Sequence, residues 1–422
     1  MNVNKVLLAL GLSAAVAPMI LAQEATIKVW HHSGQGGERE AMAVSVKSFN
    51  DANNGVNVEL VTLPEGSFND QVNAAALADK LPCVLDFDGP NTYNYAWTGK
   101  LVPMDKYIDA ETKANILPSI VAQGTYNGKL YSLGQFDSGL AIWGNKALLT
   151  KAGVRIPTSI KTRWTRAEFD GALRKLKASG LAFPLDMKFN YGVGEWFTYG
   201  FSPILQSFGG DLIDRNGYQK AEGTINGEAS IKAMTYLQGL VKKGYVNTKP
   251  AGDADFVQGK AALSYVGHWT YNDYKKAIGD DLVLLPMPRF GVRTATGSGS
   301  WNFGITSDCK NQDGAAKFIK FLMSDSEVVR ATDANGAVPA TKSALKKDKR
   351  FADGGPLAIY QDQLEGGVAV VRPVTPAYPT ITAAFAEAMN NIVAGGNVKA
   401  ELDKAAKKID QNLADNKGYP NK

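Results

Sequence analysis

The chain has 422 residues, with 46 Lys and Arg against 41 Asp and Glu, a net charge of +5. That balance is mildly basic, and no basic stripe with interleaved aromatics accompanies it, so a nucleic-acid surface is not expected. Three histidines, His31, His32 and His268, limit the catalytic readings that need an imidazole.

Residues 1–22 carry one charge, Lys5, then an apolar run over Val6–Ala17 and a small-residue ending before Gln23, which reads as a secretory signal. The run is short for a bilayer span and no stop-transfer pattern follows, so stable membrane insertion is not expected. No cysteine stands directly after the expected cleavage point, so a lipid anchor is not expected, and the mature chain should be free in the periplasm of a two-membrane bacterium. Its loss leaves 45 basic against 41 acidic residues. About 400 mature residues exceed one ordinary core, so two or three domains are expected.

From Thr26 strand and helix alternate: a strand to Trp30, a helix over Glu38–Asn50, the strand Val56–Leu63, a helix over Phe68–Asp79 and an apolar strand over Cys83–Phe87. This begins a doubly wound α/β sheet, whose ligands lie beyond the carboxyl ends of the strands, so His31–Gly37 and Asp88–Asn94 should face a cleft. Asn127–Leu133 reads as a turn and an alternating strand, Gly139–Lys146 as a second strand, and Ala147–Ala152 as the start of a helix. The polar and aromatic segment Gln135–Gly139 would then sit where domains meet, a favoured place for a small ligand. Helices follow over Arg166–Ser179 and Ala229–Lys243, then strands over Ala261–Val266 and Leu282–Leu285. Gly291–Gly299 reads as a second connection, leading to the strand Trp301–Thr306 and a helix over Gly314–Met323. Asn335–Pro339 would be a third crossing, and helices around Thr380–Ala394 and Val398–Leu413 close the chain. Cys83 opens one strand and Cys309 closes another, so antiparallel neighbours would let them pair; two buried free thiols are the alternative.

No G-x-S-x-G elbow, H-E-x-x-H, C-x-x-C or Walker loop occurs, so hydrolytic, zinc and nucleotide readings lack their usual motifs. Aromatics placed beside amides, hydroxyls and carboxylates in the expected cleft loops are the remaining signal. A pyranose offers an apolar C–H face and a belt of hydroxyls, and its site wants flat rings with hydrogen-bonding partners.

The block Asn127–Gly153 closely resembles the hinge-crossing segment of the extracellular solute-binding proteins of ABC importers, in the carbohydrate-binding branch related to maltodextrin and disaccharide binders. Thr26–Glu38, Leu81–Pro90, Ile225–Met234, Gly259–Trp269, Ala315–Ser326 and Asn335–Pro339 fall in that family's order. The resemblance implies the α/β, type II-like periplasmic binding protein fold: two α/β lobes around a ligand cleft, joined by three hinge crossings. The expected lobes are 23–136 with 295–335, and 137–294 with 336–422.

It also implies site residues. Trp269, through the G-x-W spacing with Gly267, resembles the tryptophan platform of the family; an ordinary core tryptophan is the alternative. Trp301 resembles the tryptophan after a Gly-rich loop in disaccharide binders, or begins an apolar strand. Glu195, Trp196 and Tyr199 match the acidic-aromatic cluster before a Gly-Gly turn, or form a helix face. Asp88 and Asn91 stand where relatives present an Asp and often an Arg, and the neutral Asn91 departs from the maltodextrin pattern. His32, Ser33, Gln35 and Glu38 follow the first strand at a helix N-terminus, which favours an oxygen ligand; Glu38 alternatively answers the helix dipole. Asp137 and Ser138 match the hinge-side ligand position, or are interdomain structure. Arg372 and Tyr378 resemble the late loop that closes over ligand, or a Pro-rich structural loop.

The expected protein is a monomeric sugar-binding component that closes over a mono- or disaccharide and hands it to permease subunits, without cofactor or catalysis. Two alternatives stay open: a secreted glycoside hydrolase using Asp88 and Glu195, and a polyamine or other solute binder of the same fold.

Overall fold

The computed structural model describes residues 25–34, 37–53, 55–64 and 67–420. The expected signal segment 1–22 and Gln35 lie outside them. Among the described residues no helix is long and apolar enough to cross a membrane.

The first lobe is organised by a five-stranded sheet in the order Val56–Leu63, Ala25–His32, Val84–Asp88, Trp301–Ile305, Ser132–Leu133. The first three run parallel, with Ala25 opposite Val56 and Val29 opposite Val84. Trp301–Ile305 is antiparallel to both of its neighbours and puts Trp301 opposite Asp88. Ile27 and Val29 alternate inward with exposed Thr26 and Lys28, the period-2 signature of a half-buried strand. The alternation stops at His31 and His32, which are both buried. Helices Glu38–Asp51 and Gln312–Leu322 cover the sheet through Met42, Phe49, Phe318 and Ile319.

The second lobe holds a four-stranded sheet in the order Leu282–Leu285, Leu140–Asn145, Leu263–Gly267, Leu185–Asp186. Leu140, Ala141, Ile142 and Trp143 are all buried, as a strand covered on both faces requires. Around it packs the largest core, including Trp164, Phe169, Phe201, Leu237, Tyr265 and Phe385. Helix Arg166–Ala178 begins with a capping box between Thr165 and Glu168. Helix Glu195–Ser207 is buried from Trp196 onward and packs on helix Tyr378–Val393.

Short strand pairs tie the connections together. Phe136–Asp137 pairs antiparallel with Val338–Pro339, and Thr296–Gly297 pairs parallel with Ala369–Val370. The helix Lys342–Lys347 that follows remains against the first lobe, where Ser343 Oγ donates to Asn115 Oδ1 at 3.1 Å and Lys342 donates to the Ala114 carbonyl at 2.7 Å.

Cys83 and Cys309 are bonded, as the antiparallel strand ends allow. One element differs from the sequence expectation. Asn127–Leu133 is not one strand: Lys129–Leu130 folds back on Thr125–Tyr126 while Ser132–Leu133 joins the large sheet. The chain changes partners at Tyr131, and alternation alone does not reveal such a change.

Candidate functional site

Between the lobes, a strand end, a helix start and a loop bring one cation and two carboxylates together. Asp88 ends a first-lobe strand, Glu195 opens a second-lobe helix, and Arg372 lies on the extended loop after Ala369–Val370. The two terminal nitrogens of Arg372 donate to Asp88 Oδ1 and Oδ2 at 2.6 Å each, and Nη1 also donates to Glu195 Oε1 at 2.6 Å. Glu195 accepts further from the Tyr378 hydroxyl and, at 2.7 Å, from Thr382. Burial pushes the Glu195 carboxyl above its ordinary value, while the Arg372 guanidinium opposes that rise. The guanidinium lies 4.9 Å from the Tyr199 ring centre, a cation–π arrangement. Close by, Asn94 of the first lobe donates to the Pro376 carbonyl at 2.8 Å.

An aromatic wall continues from Tyr199. The half-buried Trp269 meets Trp196 edge-on at 6.0 Å and Tyr199 at 6.2 Å, and its indole N–H donates to the Tyr191 hydroxyl at 3.1 Å. The G-x-W spacing has a steric cause: a Cβ on Gly267 would stand 2.0 Å from the Trp269 ring, which lies directly over that glycine. Trp196 itself belongs to the second-lobe core and supports Trp269. On the other lobe, Trp301 stacks on His32 with ring centres 3.7 Å apart and takes the edge of Phe68 at 5.3 Å. Trp301 thus packs within the lobe as the start of an apolar strand, and it is half-buried next to Asp88 in register.

A hydrogen-bond chain runs through the connections. Tyr199 donates to Ser138 Oγ at 2.9 Å, Ser138 Oγ lies 2.9 Å from His268 Nε2, and His268 Nδ1 donates to the Asn335 carbonyl at 2.8 Å. The carbonyl fixes the proton on Nδ1, leaving Nε2 to accept from Ser138. The Asn335 amide donates to Glu38 at 2.8 Å, which ties Glu38, in the first turn of its helix, to the end of the helix Asp325–Asn335. Asp137 accepts from the N–H groups of Ser138 at 2.8 Å and Gly299 at 3.0 Å. Burial raises its carboxyl above the ordinary range, against the Ser119 hydroxyl and those N–H groups.

The site residues expected from the sequence thus form connected groups: Asp88, Glu195, Tyr199, Arg372 and Tyr378; Trp196 and Trp269; Asp137, Ser138 and Glu38; His32 and Trp301. Asn91 is buried in the turn Gly89–Asn91, and Ser33 is half-buried just after the first strand. Sequence reasoning missed Thr382, Tyr191, Asn335 and His268 as partners. Tyr191 sits just before the Glu195 cluster and His268 just before Trp269, so adjacency was the available signal. It also missed Lys188, fully buried at a left-handed φ of 56° and paired with Asp186 at 2.8 Å and Asp253 at 2.9 Å. No periodic pattern marks such a residue. For a metal, the described residues offer one compact group, His31, His32 and Asp86.

The family described as bacterial extracellular solute-binding protein matches residues 45–355. A putative binding protein of Brucella abortus (strain 2308) is 26% identical over 338 residues, covering 75% of this chain and 76% of the relative. The diacetylchitobiose binding protein DasA of Streptomyces coelicolor is 24% identical over 335 residues, covering 76% of this chain and 75% of the relative. Among solved structures, the GacH receptor of Streptomyces glaucescens, known unliganded and with acarbose, superposes with a TM-score of 0.75. It covers 94% of this chain and 99% of its own at 24% identity, a likeness of fold. With the family matched across most of its length and the two-lobed fold in place, the chain belongs to the bacterial extracellular solute-binding proteins.

Proposed function

We propose that this chain is the periplasmic substrate-binding component of an ABC carbohydrate importer, holding a mono- or disaccharide between its lobes and delivering it to permease subunits. The observation that carries the reading is the Arg372 grip on Asp88 and Glu195 from opposite lobes, set beside the Tyr199 and Trp269 rings. Fixed charges and amides serve sugar hydroxyls, and the rings serve the C–H face. The name of the Streptomyces coelicolor relative, a diacetylchitobiose binder, supports a carbohydrate of this size.

In this reading Asp88, Asn91, Glu195, Arg372 and Tyr378 take hydroxyls, and Trp269 and Trp301 are platforms supported by Trp196 and His32. Ser33, Gln35 and Glu38 border the ligand on the first lobe, and Asp137, Ser138 and Tyr199 sit at the hinge. The lobes divide near residues 136/137 and 294/295, the third crossing falls beyond the helix Lys342–Lys347 that stays against the first lobe, and sugar shifts the population from open to closed. Export by cleavage of the signal segment and a monomeric state belong to the same proposal.

The test is calorimetry and tryptophan fluorescence of the mature protein across mono- and disaccharides, with spermidine and an aryl glycoside as controls. Saturable, sugar-specific binding without turnover supports the reading. Turnover of the glycoside would instead make Asp88 and Glu195 catalytic, and binding of spermidine alone would make the chain a cation binder.

A further inference from the structure

Although no zinc motif is present in the sequence, the fold assembles two imidazoles and a carboxylate at the end of the first strand. We propose that His31, His32 and Asp86 form a buried site for one divalent transition-metal ion of the zinc type. This proposal does not depend on the sugar reading.

Three observations carry it. First, Asp86 is completely buried, and its ionic partners among the described residues are the two imidazoles: His32 Nδ1 in direct contact with Oδ2, and His31 Nε2 at 3.6 Å from the same oxygen. Among the described residues no lysine or arginine forms an ion pair with it, whereas buried carboxylates ordinarily pair with a cation or coordinate a metal. Second, both imidazoles converge on one oxygen, while Asp86 Oδ1 and His31 Nδ1 are buried without a hydrogen-bond partner. A hydrogen-bonded His–Asp pair alone leaves these two atoms unsatisfied. An ion drawing on Oδ1 or Oδ2 together with the two rings compensates the carboxylate charge. Third, a cavity of about 20 Å³ adjoins the group, bordered also by Glu38, Ser45 and Asn335. That is room for one water, which would occupy the open position that three-ligand zinc sites keep and would reach His31 Nδ1 or a neighbouring polar group.

The chemistry and the support both fit. Candidate ligand atoms of the three residues lie within 4.8 Å of one another. Two imidazoles with one carboxylate are a donor set for zinc and its first-row neighbours rather than for calcium or magnesium. His31 stacks against Phe303, with ring centres 6.1 Å apart, and His32 against Trp301, so both rings are held by the sheet.

Untagged mature protein, stripped with EDTA and dialysed, is titrated with Zn²⁺ by calorimetry and with Co²⁺ by absorption. One equivalent of Zn²⁺, a rise in melting temperature, and intense visible Co²⁺ bands of low coordination number are expected. All three should be lost in His31→Gln and in Asp86→Asn. Absence of a bound equivalent, or one that persists in a folded His31→Gln, overturns the site. Should both variants fail to fold, the wild-type Co²⁺ spectrum decides: intense bands support the site, and a weak spectrum of the octahedral aquo kind overturns it.

Discussion

Arg372 holds Asp88 through two parallel hydrogen bonds of 2.6 Å, one residue from each lobe. This bidentate fork fixes distance and direction together, which an ammonium cannot reproduce. Arg372→Lys should therefore weaken sugar binding about tenfold or more, equivalent to about 1.4 kcal/mol. Arg372→Met should also lower stability by on the order of 3 kcal/mol, because Asp88 and Glu195 lose their cation. Calorimetry and melting curves check both; affinity within twofold of wild type in the lysine variant would exclude a role for the fork in closure.

Trp269 lies on Gly267, so two different changes should have one effect. Trp269→Ala removes the ring, and Gly267→Ala drives a methyl into it from a distance of 2.0 Å. Both variants should lose at least about tenfold in affinity, in line with an aromatic contact plus its buried area. If Gly267→Ala bound sugar as wild type does, the ring would not need its present position.

The Cys83–Cys309 bond closes a loop of 226 residues. Its reduction should cost about 2–5 kcal/mol of stability, the range for native bridges closing long loops. Denaturant titration with and without reductant measures this, and coincident curves would count against a stabilising bond.

Burial lowers His268 from 6.5 to about 4. The folded state then keeps the ring neutral while the unfolded chain protonates it. Its contribution is full above pH 6.5 and is lost as pH falls towards 4, at about 1.4 kcal/mol per pH unit. Asp137 and Glu195 act in the opposite sense, because burial raises their carboxyls and acidification relieves that cost. Comparison with His268→Gln isolates the histidine: the variant's melting temperature should fall less steeply between pH 6.5 and 4. Parallel slopes would mean that the imidazole titrates normally.

Most of the α/β framework was legible because its helices and strands keep clean periods. Val56–Leu63 and Leu282–Leu285 fall where the sequence puts them, and helices such as Arg166–Ala178 agree within a few residues. Arg372, Tyr378, Glu195 and Asp88 were legible only as separate candidates; that one guanidinium joins them is a property of three-dimensional packing. Lys188 and Asp86 were not legible at all. A lysine in a left-handed turn and an aspartate inside an apolar strand look like exposed charges until their buried partners are known.

The strand Trp301–Ile305 lies inside the first sheet, between Val84–Asp88 and Ser132–Leu133, yet the chain reaches it only after passing through the second sheet. A growing chain that stops short of it leaves the Val84–Asp88 edge open, with its backbone groups ready to pair with another molecule. The lobe whose residues come first is therefore finished late, and the later-starting lobe can complete its sheet earlier, since that sheet needs only residues 140–285. Premature termination between the two sheets should give a sticky fragment, not a half-protein that stands alone.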